Sequence, residues 1–334
     1  MGTRITSPDR SGSSEGDGPG GGAAGDGDGE QTQLPSERSQ AEQAAEEVCE
    51  EEADETAVSE QKGEQVAERR AEIRETLDES LEIEEQHIFG SLTRGTLVGP
   101  LDENSDTDVM YVLDRDEHGT WLTDENGPRN CLQNIKHHLE NDPRYDAADI
   151  SIDRNVVAVQ FDEFTVEVAP AFRQGDDYVI PDTYSGGRSW VRTNPRQYKQ
   201  QFEAVDSNRN GNVSKLARLA KAYNERTGKQ VSSYHMEVMA YQYARTRPQS
   251  DEPFDELVDG FFEQLPRRLS SGTHDPATGQ QIDDELSREQ RESAISDAKQ
   301  AKEKLQRAKR LKQSGNAEEA ERLYQEVING ELDD

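Results

Sequence analysis

Apolar positions between Glu64 and Glu85 recur at Val66, Ile73, Leu77, Leu81 and Ile83, with charged residues between them. This near-helical spacing predicts one long helix running directly into a Gly90-Ser91 turn. The pattern then changes to short apolar runs. Val109 to Leu113 reads as a buried strand, and 150–152, 156–161 and 164–168 read as strands joined by tight turns. Asn130 to Leu139 reads as a helix closed by Asn141-Asp142-Pro143. From Pro195 onward the pattern is helical, over 195–205, 213–226, 232–245 and 253–264, punctuated by Gly211, Gly228 and Pro248. After a Gly/Thr/Pro loop at 270–281, residues 286–313 carry Ala294, Ala298, Ala301, Leu305 and Ala308 on one face. Gly315-Asn316 breaks that helix, and Ala317 to Val327 pairs back against it. The fold class expected is α+β: a lobe with a mixed sheet, then a helical lobe.

Composition sets the boundaries. Residues 1–62 are dominated by Gly, Ser, Asp, Glu and Gln, so they read as a disordered acidic tail, turning helical only after Ser39 if at all. The remaining segments expected are 63–185 (the α/β lobe with its leading helix), 186–284 (the helical lobe) and 285–330 (a C-terminal helical hairpin). One such hairpin is half of a tetratricopeptide-like array and too little for a solenoid. The tail has no apolar signal region and no run of 18 apolar residues exists, so the expectation is a cytoplasmic protein with no membrane contact. Cys49 and Cys131 are far apart and fit no disulfide framework or zinc motif.

The chain carries 70 acids against 38 bases, a formal charge of −32, with 11 Lys to 27 Arg. The excess is spread along the whole chain. A nucleic-acid mimic or acidic interaction tail is one reading. Spread charge with scarce Lys favours the other, a halophilic surface whose self-repulsion salt screens. A basic footprint for a long polynucleotide is not visible. Arg188, Arg192, Arg196 and Lys199 form the one basic group, enough for one or two nucleotides.

The candidate chemistry lies between Gly90 and Asp108. Gly90-Ser91 offers backbone N–H groups and a hydroxyl to a phosphate. Gly95-Thr96 follows, then Asp106-Thr107-Asp108 at the head of an apolar strand. Side chains at i and i+2 share a face, so Asp106 and Asp108 project together. Two adjacent carboxylates call for a cation, and oxygen-only ligands favour Mg²⁺ or Mn²⁺. Glu167 lies opposite the apolar face of Phe164, Val166 and Val168, where an unpaired acid is costly. It is the candidate third ligand of a two-ion site that clamps the oxygens of an in-line phosphoryl displacement.

Gly-Ser-x-x-x-Gly-Thr, then Asp-x-Asp on a strand, then an acid before Ala169-Pro170-Ala171, resembles the DNA polymerase β-type nucleotidyltransferase superfamily. Trp190 to Pro195, the helix Leu216-Ala217-Arg218-Leu219-Ala220-Lys221, and Ser232-Ser233-Tyr234-His235 make residues 68–275 similar to the CD-NTase family, the cyclic-dinucleotide and oligonucleotide synthases of CBASS antiphage defence. The resemblance implies a polymerase β-like catalytic lobe closed by the helical lobe. It implies Asp106, Asp108 and Glu167 as catalytic residues holding two Mg²⁺ or Mn²⁺ ions. It implies Gly90 and Ser91 at phosphate, Lys221 and Ser233 at the donor triphosphate, and Tyr234 stacked on a base. The third acid is often Asp in the family; here it is one methylene longer. Substrates would be ATP, GTP or other NTPs, with an effector or regulatory protein as partner and no long nucleic acid.

Rival readings are a CCA-adding-like RNA-tailing enzyme, an inactive nucleotide-sensing scaffold, and a minimal nucleotidyltransferase toxin or antitoxin-linked kinase. Asp206 to Gly211 imitates a calcium loop, but loop position 12 is Ala217 and not the required Glu. The six histidines show no ligand spacing.

Overall fold

The computed structural model describes residues 36–102, 105–183, 189–247, 252–283 and 286–332. The expected tail up to Pro35, Arg188 of the basic group, the helix break at Pro248 and the expected boundaries at 185/186 and 284/285 lie outside the described residues. In chain order the elements are α1 (Glu37–Glu55), α2 (Glu60–Asp78), β1 (Ile83–Ile88), α3 (Gly90–Thr93), β2 (Asp106–Leu113), α4 (Arg115–His118), α5 (Gly127–Glu140), β3 (Asp149–Asp153), β4 (Val156–Gln160), β5 (Thr165–Gln174), β6 (Asp177–Asp182), β7 (Ser189–Thr193), α6 (Pro195–Ser207), α7 (Asn212–Arg226), α8 (Ser233–Arg245), α9 (Phe254–Ser270), α10 (Arg288–Gln313) and α11 (Ala317–Ile328).

The seven strands form one mixed sheet in the order β1-β2-β5-β4-β3, with β6 on the far half of β5 and β7 outside β6. Among the described strands, only β2 and β5 pair in parallel. Val109, Tyr111 and Leu113 of β2 pack with Ile73 of α2 and Ile135 of α5 on one face. Met110 and Val112 pack with Ala169 and Ala171 on the other. The two-residue period therefore places Asp106, Asp108 and Glu167 together on that second face. This is the α+β fold with a mixed sheet that the pattern predicts.

Two expectations are corrected. The helix expected to reach Glu85 stops at Asp78, and Ile83–Ile88 is a strand antiparallel to β2. Pairing of Ile88 with Val109 and Ile83 with Leu113 completes the sheet edge, a tertiary gain that outweighs the helix propensity of a Glu-rich run. The second correction concerns the span expected to be tail. Ser36 caps α1, whose Ala41, Ala45, Val48, Cys49 and Ala53 are buried at helical spacing. Most of these join a core built with α7, α8, α9, α10 and α11. The stripe is made of small residues, so its low hydrophobicity hid it among the glutamates. Thr56 to Ser59 separates α1 from α2, so the leading helix is two helices, one packed on each lobe.

The helical lobe follows from local caps. Asp206 at the end of α6 accepts from Val213 N (2.9 Å) and Ser214 N (2.8 Å), closing the start of α7. Ser287 and Gln290 form a reciprocal capping box on α10. The α10–α11 pair shares its core with α1 and α9 and is part of the helical lobe. Among the described residues, no helix is long and apolar enough to cross a membrane.

Candidate active site

A cavity of about 980 Å³ opens between the β2/β5 face of the sheet and helices α6 to α8. Its wall includes every residue expected from the sequence: Gly90, Ser91, Asp106, Asp108, Glu167, Lys221, Ser233 and Tyr234.

The acidic side is set by sheet register, with Asp108 directly beside Glu167 and Asp106 beside Thr165. Burial and the neighbouring Asp108 and Asp106 charges push the Glu167 carboxyl up to about 8. Burial also raises the Asp106 and Asp108 carboxyls from their ordinary values. Arg94, Arg70 and Lys221 act on Asp108 in the opposite sense without overcoming that burial. Three oxygen-donor carboxylates that resist ionising side by side are a donor set that suits a hard divalent cation. They form a wall and not a finished cage: among the described residues no three acidic, His or Cys side chains are gathered at metal-ligand spacing. Gly90 brings its backbone against this wall in a left-handed conformation (φ +79°).

The opposite side holds a residue that the sequence pattern did not single out. Glu237 of α8 is fully buried and accepts from Arg94 Nε at 2.6 Å, from Lys221 Nζ at 3.3 Å and from the Thr96 hydroxyl. Burial alone would raise its carboxyl, but the Arg94 and Lys221 charges hold it at about 2. Arg94 and Thr96 belong to the Gly95-Thr96 loop, whereas Lys221 and Glu237 belong to the helical lobe. One carboxylate thus ties the lobes together behind the cavity. Thr96 N also donates to Ser91 O at 2.9 Å, fixing the loop onto the Gly90-Ser91 turn. Lys221 Nζ donates to Thr96 O at 2.8 Å as well, so two of its three donors are taken inside the protein. The visible signal for Glu237 was an acid in the otherwise apolar run Met236–Ala240.

At the start of α8, Ser232 supplies the cap by accepting from His235 N at 3.3 Å, which leaves Ser233 on the cavity wall. Tyr234 donates to Asp275 Oδ2 at 2.6 Å, and its ring meets Tyr198 edge-on at 5.7 Å. The described members of the basic group are committed to acids: Arg192 to Asp177, Arg196 to Glu85 and Lys199 to Glu203.

Residues 50–206 match the Second Messenger Oligonucleotide or Dinucleotide Synthetase (SMODS) domain. A probable cyclic nucleotide synthase of Bacillus cereus strain VD146 is 26% identical over 215 residues, covering 56% of this chain and 64% of that protein. The match thus spans less than two thirds of the relative's own length. Among solved structures, the chain is similar to Escherichia coli MS115-1 CdnC with ATP (TM-score 0.63, 14% identity, 86% of this chain and 99% of that one). It is also similar to Bradyrhizobium diazoefficiens CdnG in complex with GTP (TM-score 0.60, 12% identity, 85% and 98%). CdnC has been solved with a HORMA protein too, in a structure of TM-score 0.62 to this chain at 14% identity, covering 86% and 98%.

Proposed function

We propose that this chain is a nucleotidyltransferase of the CD-NTase kind that joins nucleoside triphosphates into a cyclic di- or oligonucleotide second messenger, a reading supported by the SMODS match over 50–206 and by the cyclic nucleotide synthase relative. The observation that carries this reading is the register of Asp108 with Glu167 on the cavity wall, below the Gly90-Ser91 turn. ATP and GTP are the first substrates to consider, since CdnC and CdnG were solved with them. Antiviral defence of the CBASS type, a protein partner of the HORMA kind and a cytoplasmic location belong to the same proposal.

Asp106, Asp108 and Glu167 would hold Mg²⁺ or Mn²⁺. A divalent ion bound there supplies positive charge to the transferring phosphoryl group and its attacking hydroxyl. The rest is positioning by the chain itself. The Gly90-Ser91 turn offers backbone N–H groups to a phosphate, and the Ser91 and Ser233 hydroxyls can donate to phosphate oxygens. Lys221 has one N–H left for the donor triphosphate. The Tyr234 ring, held by Asp275, offers an edge or face to a base. Tailing of an RNA requires several basic contacts along the strand, and Arg192, Arg196 and Lys199 are already paired with acids.

The test is incubation of the purified full chain with labelled ATP, GTP, CTP and UTP and Mg²⁺ or Mn²⁺, with and without tRNA, followed by phosphatase and mass analysis. A short phosphatase-resistant product without RNA supports the proposal. Incorporation that depends on RNA replaces it with the tailing enzyme.

A further inference from the structure

Among the described residues, four cations line the cavity: Arg94, Lys221, Arg226 and Lys229. Three are engaged. Arg94 and Lys221 share Glu237, and Arg226 donates to Ile328 O at 3.0 Å beside Glu52. Arg94, Lys221 and Glu237 together contribute one net positive charge, and much of it is directed at the loop behind the cavity. A nucleoside triphosphate brings about four negative charges to a wall that already carries three carboxylates. The cation left over is Lys229. It is exposed, forms no ion pair or side-chain hydrogen bond among the described residues, and lines the same cavity as Asp106.

The backbone around Lys229 is built and not slack. Lys229 sits at φ +50°, a left-handed conformation uncommon for a long side chain, directly after Gly228 at φ +97°. Its N–H donates to Asn224 O at 2.6 Å. The buried Asn224 side chain then clamps Val231 from both sides, donating to Val231 O at 2.7 Å and accepting from Val231 N at 3.1 Å. Strained backbone held by its surroundings is a device for aiming a side chain. Here it sets an unpaired lysine on the cavity wall, four residues before Ser233 at the N-terminal end of α8, where partial positive charge is also found.

We propose that Lys229 grips the β- and γ-phosphates of the bound triphosphate, in addition to Lys221, two of whose donors are already held by Glu237 and Thr96. This rests on the nucleotidyltransferase reading and deepens it by naming a further phosphate cation and where it sits. The contact is a charge-assisted hydrogen bond, which corresponds to roughly a tenfold change in affinity.

The test measures equilibrium binding of ATP, GTP, AMP and GMP to the full chain in Mg²⁺, for the wild type, Lys229→Asn and Lys229→Arg. Asn tolerates the left-handed backbone and removes the charge; Arg keeps the charge. The expected result is that Lys229→Asn weakens the triphosphates about tenfold, leaves the monophosphates unchanged, and that Lys229→Arg recovers most of the loss. Unchanged triphosphate binding in Lys229→Asn overturns the proposal. Equal weakening of mono- and triphosphates also overturns it, because that pattern reports a damaged loop. A wild type that binds no triphosphate in preference to the monophosphate defeats the nucleotidyltransferase reading itself.

Discussion

Gly90 and Asp108 are so close that a methyl group added to Gly90 would lie 1.7 Å from Oδ2 of Asp108. The glycine is thus required by its left-handed backbone and by the carboxylate that occupies the space of its missing side chain. Gly90→Ala must turn that carboxylate aside. The expected outcome is a loss of nucleotide product of about a hundredfold, the scale of a roughly 1 Å misplacement at a reacting centre. The melting temperature should fall only by the equivalent of about 1–2 kcal/mol, the cost of a left-handed alanine. Parallel product assays and thermal melts check this; an active Gly90→Ala protein would remove Asp108 from the reaction.

Glu237 should matter to stability more than any surface ion pair. Its removal leaves Arg94 and Lys221 buried without their anion. Glu237→Ala is expected to cost about 3–5 kcal/mol, read as a lower midpoint in urea denaturation. A loss under about 1 kcal/mol would show that the lobes do not depend on this tie.

His235 gives a pH dependence of known sign. It is 2% exposed, its Nε2 lies 2.8 Å from the Thr273 hydroxyl, and burial pushes its imidazole down to about 4. The nearby Asp283 and Arg291 charges act in opposite senses on it. A base depressed in the folded state contributes stability that is complete above its unfolded value near 6.5 and is lost as pH falls through about 4. At about 1.4 kcal/mol per unit this amounts to up to about 3 kcal/mol. Asp259 works against it: burial raises its carboxyl to about 7, so acidification relieves a cost there. Comparing wild type with His235→Asn between pH 7 and 4.5 separates the two. The variant should lose less stability than the wild type across this range, and parallel curves would exclude His235 as the group responsible.

Net charge supplies a further expectation. With 32 excess negative charges, the folded state repels itself at low ionic strength. The thermal midpoint should rise from 50 mM to molar KCl. A salt-independent midpoint would return the acidic surface to the role of a partner-binding feature.

The carboxylate wall was legible in the sequence because strand chemistry is local. Asp106 and Asp108 share a face by the two-residue period, and Phe164, Val166 and Val168 fix the opposite face of Glu167. What was not legible depended on distant contacts. Ile83–Ile88 became a strand only because β2 needed an antiparallel neighbour. The helix Glu37–Glu55 was hidden because its buried stripe is mostly alanine, whose small apolar surface matters only once α7 and α9 to α11 are in place. Lys221 stood out as a scarce lysine on an apolar helix, yet sequence alone did not show Glu237 lying 3.3 Å from it. Lys229 follows Gly228, which reads in the sequence only as helix punctuation, and only the fold places it on the cavity wall with Asp106.

Nucleotidyl transfer at the β2/β5 carboxylate wall would release pyrophosphate. Pyrophosphate release from ATP and GTP, measured for the wild type and for Asp106→Ala/Asp108→Ala, tests it most directly. Both proteins should melt cooperatively, since the substitutions remove two mutually repelling carboxylates from the cavity wall and no core side chain. Steady pyrophosphate release by the wild type, and none above background from the double variant, is the predicted result. Undiminished release by a folded double variant would mean that Asp106 and Asp108 do not carry the reaction.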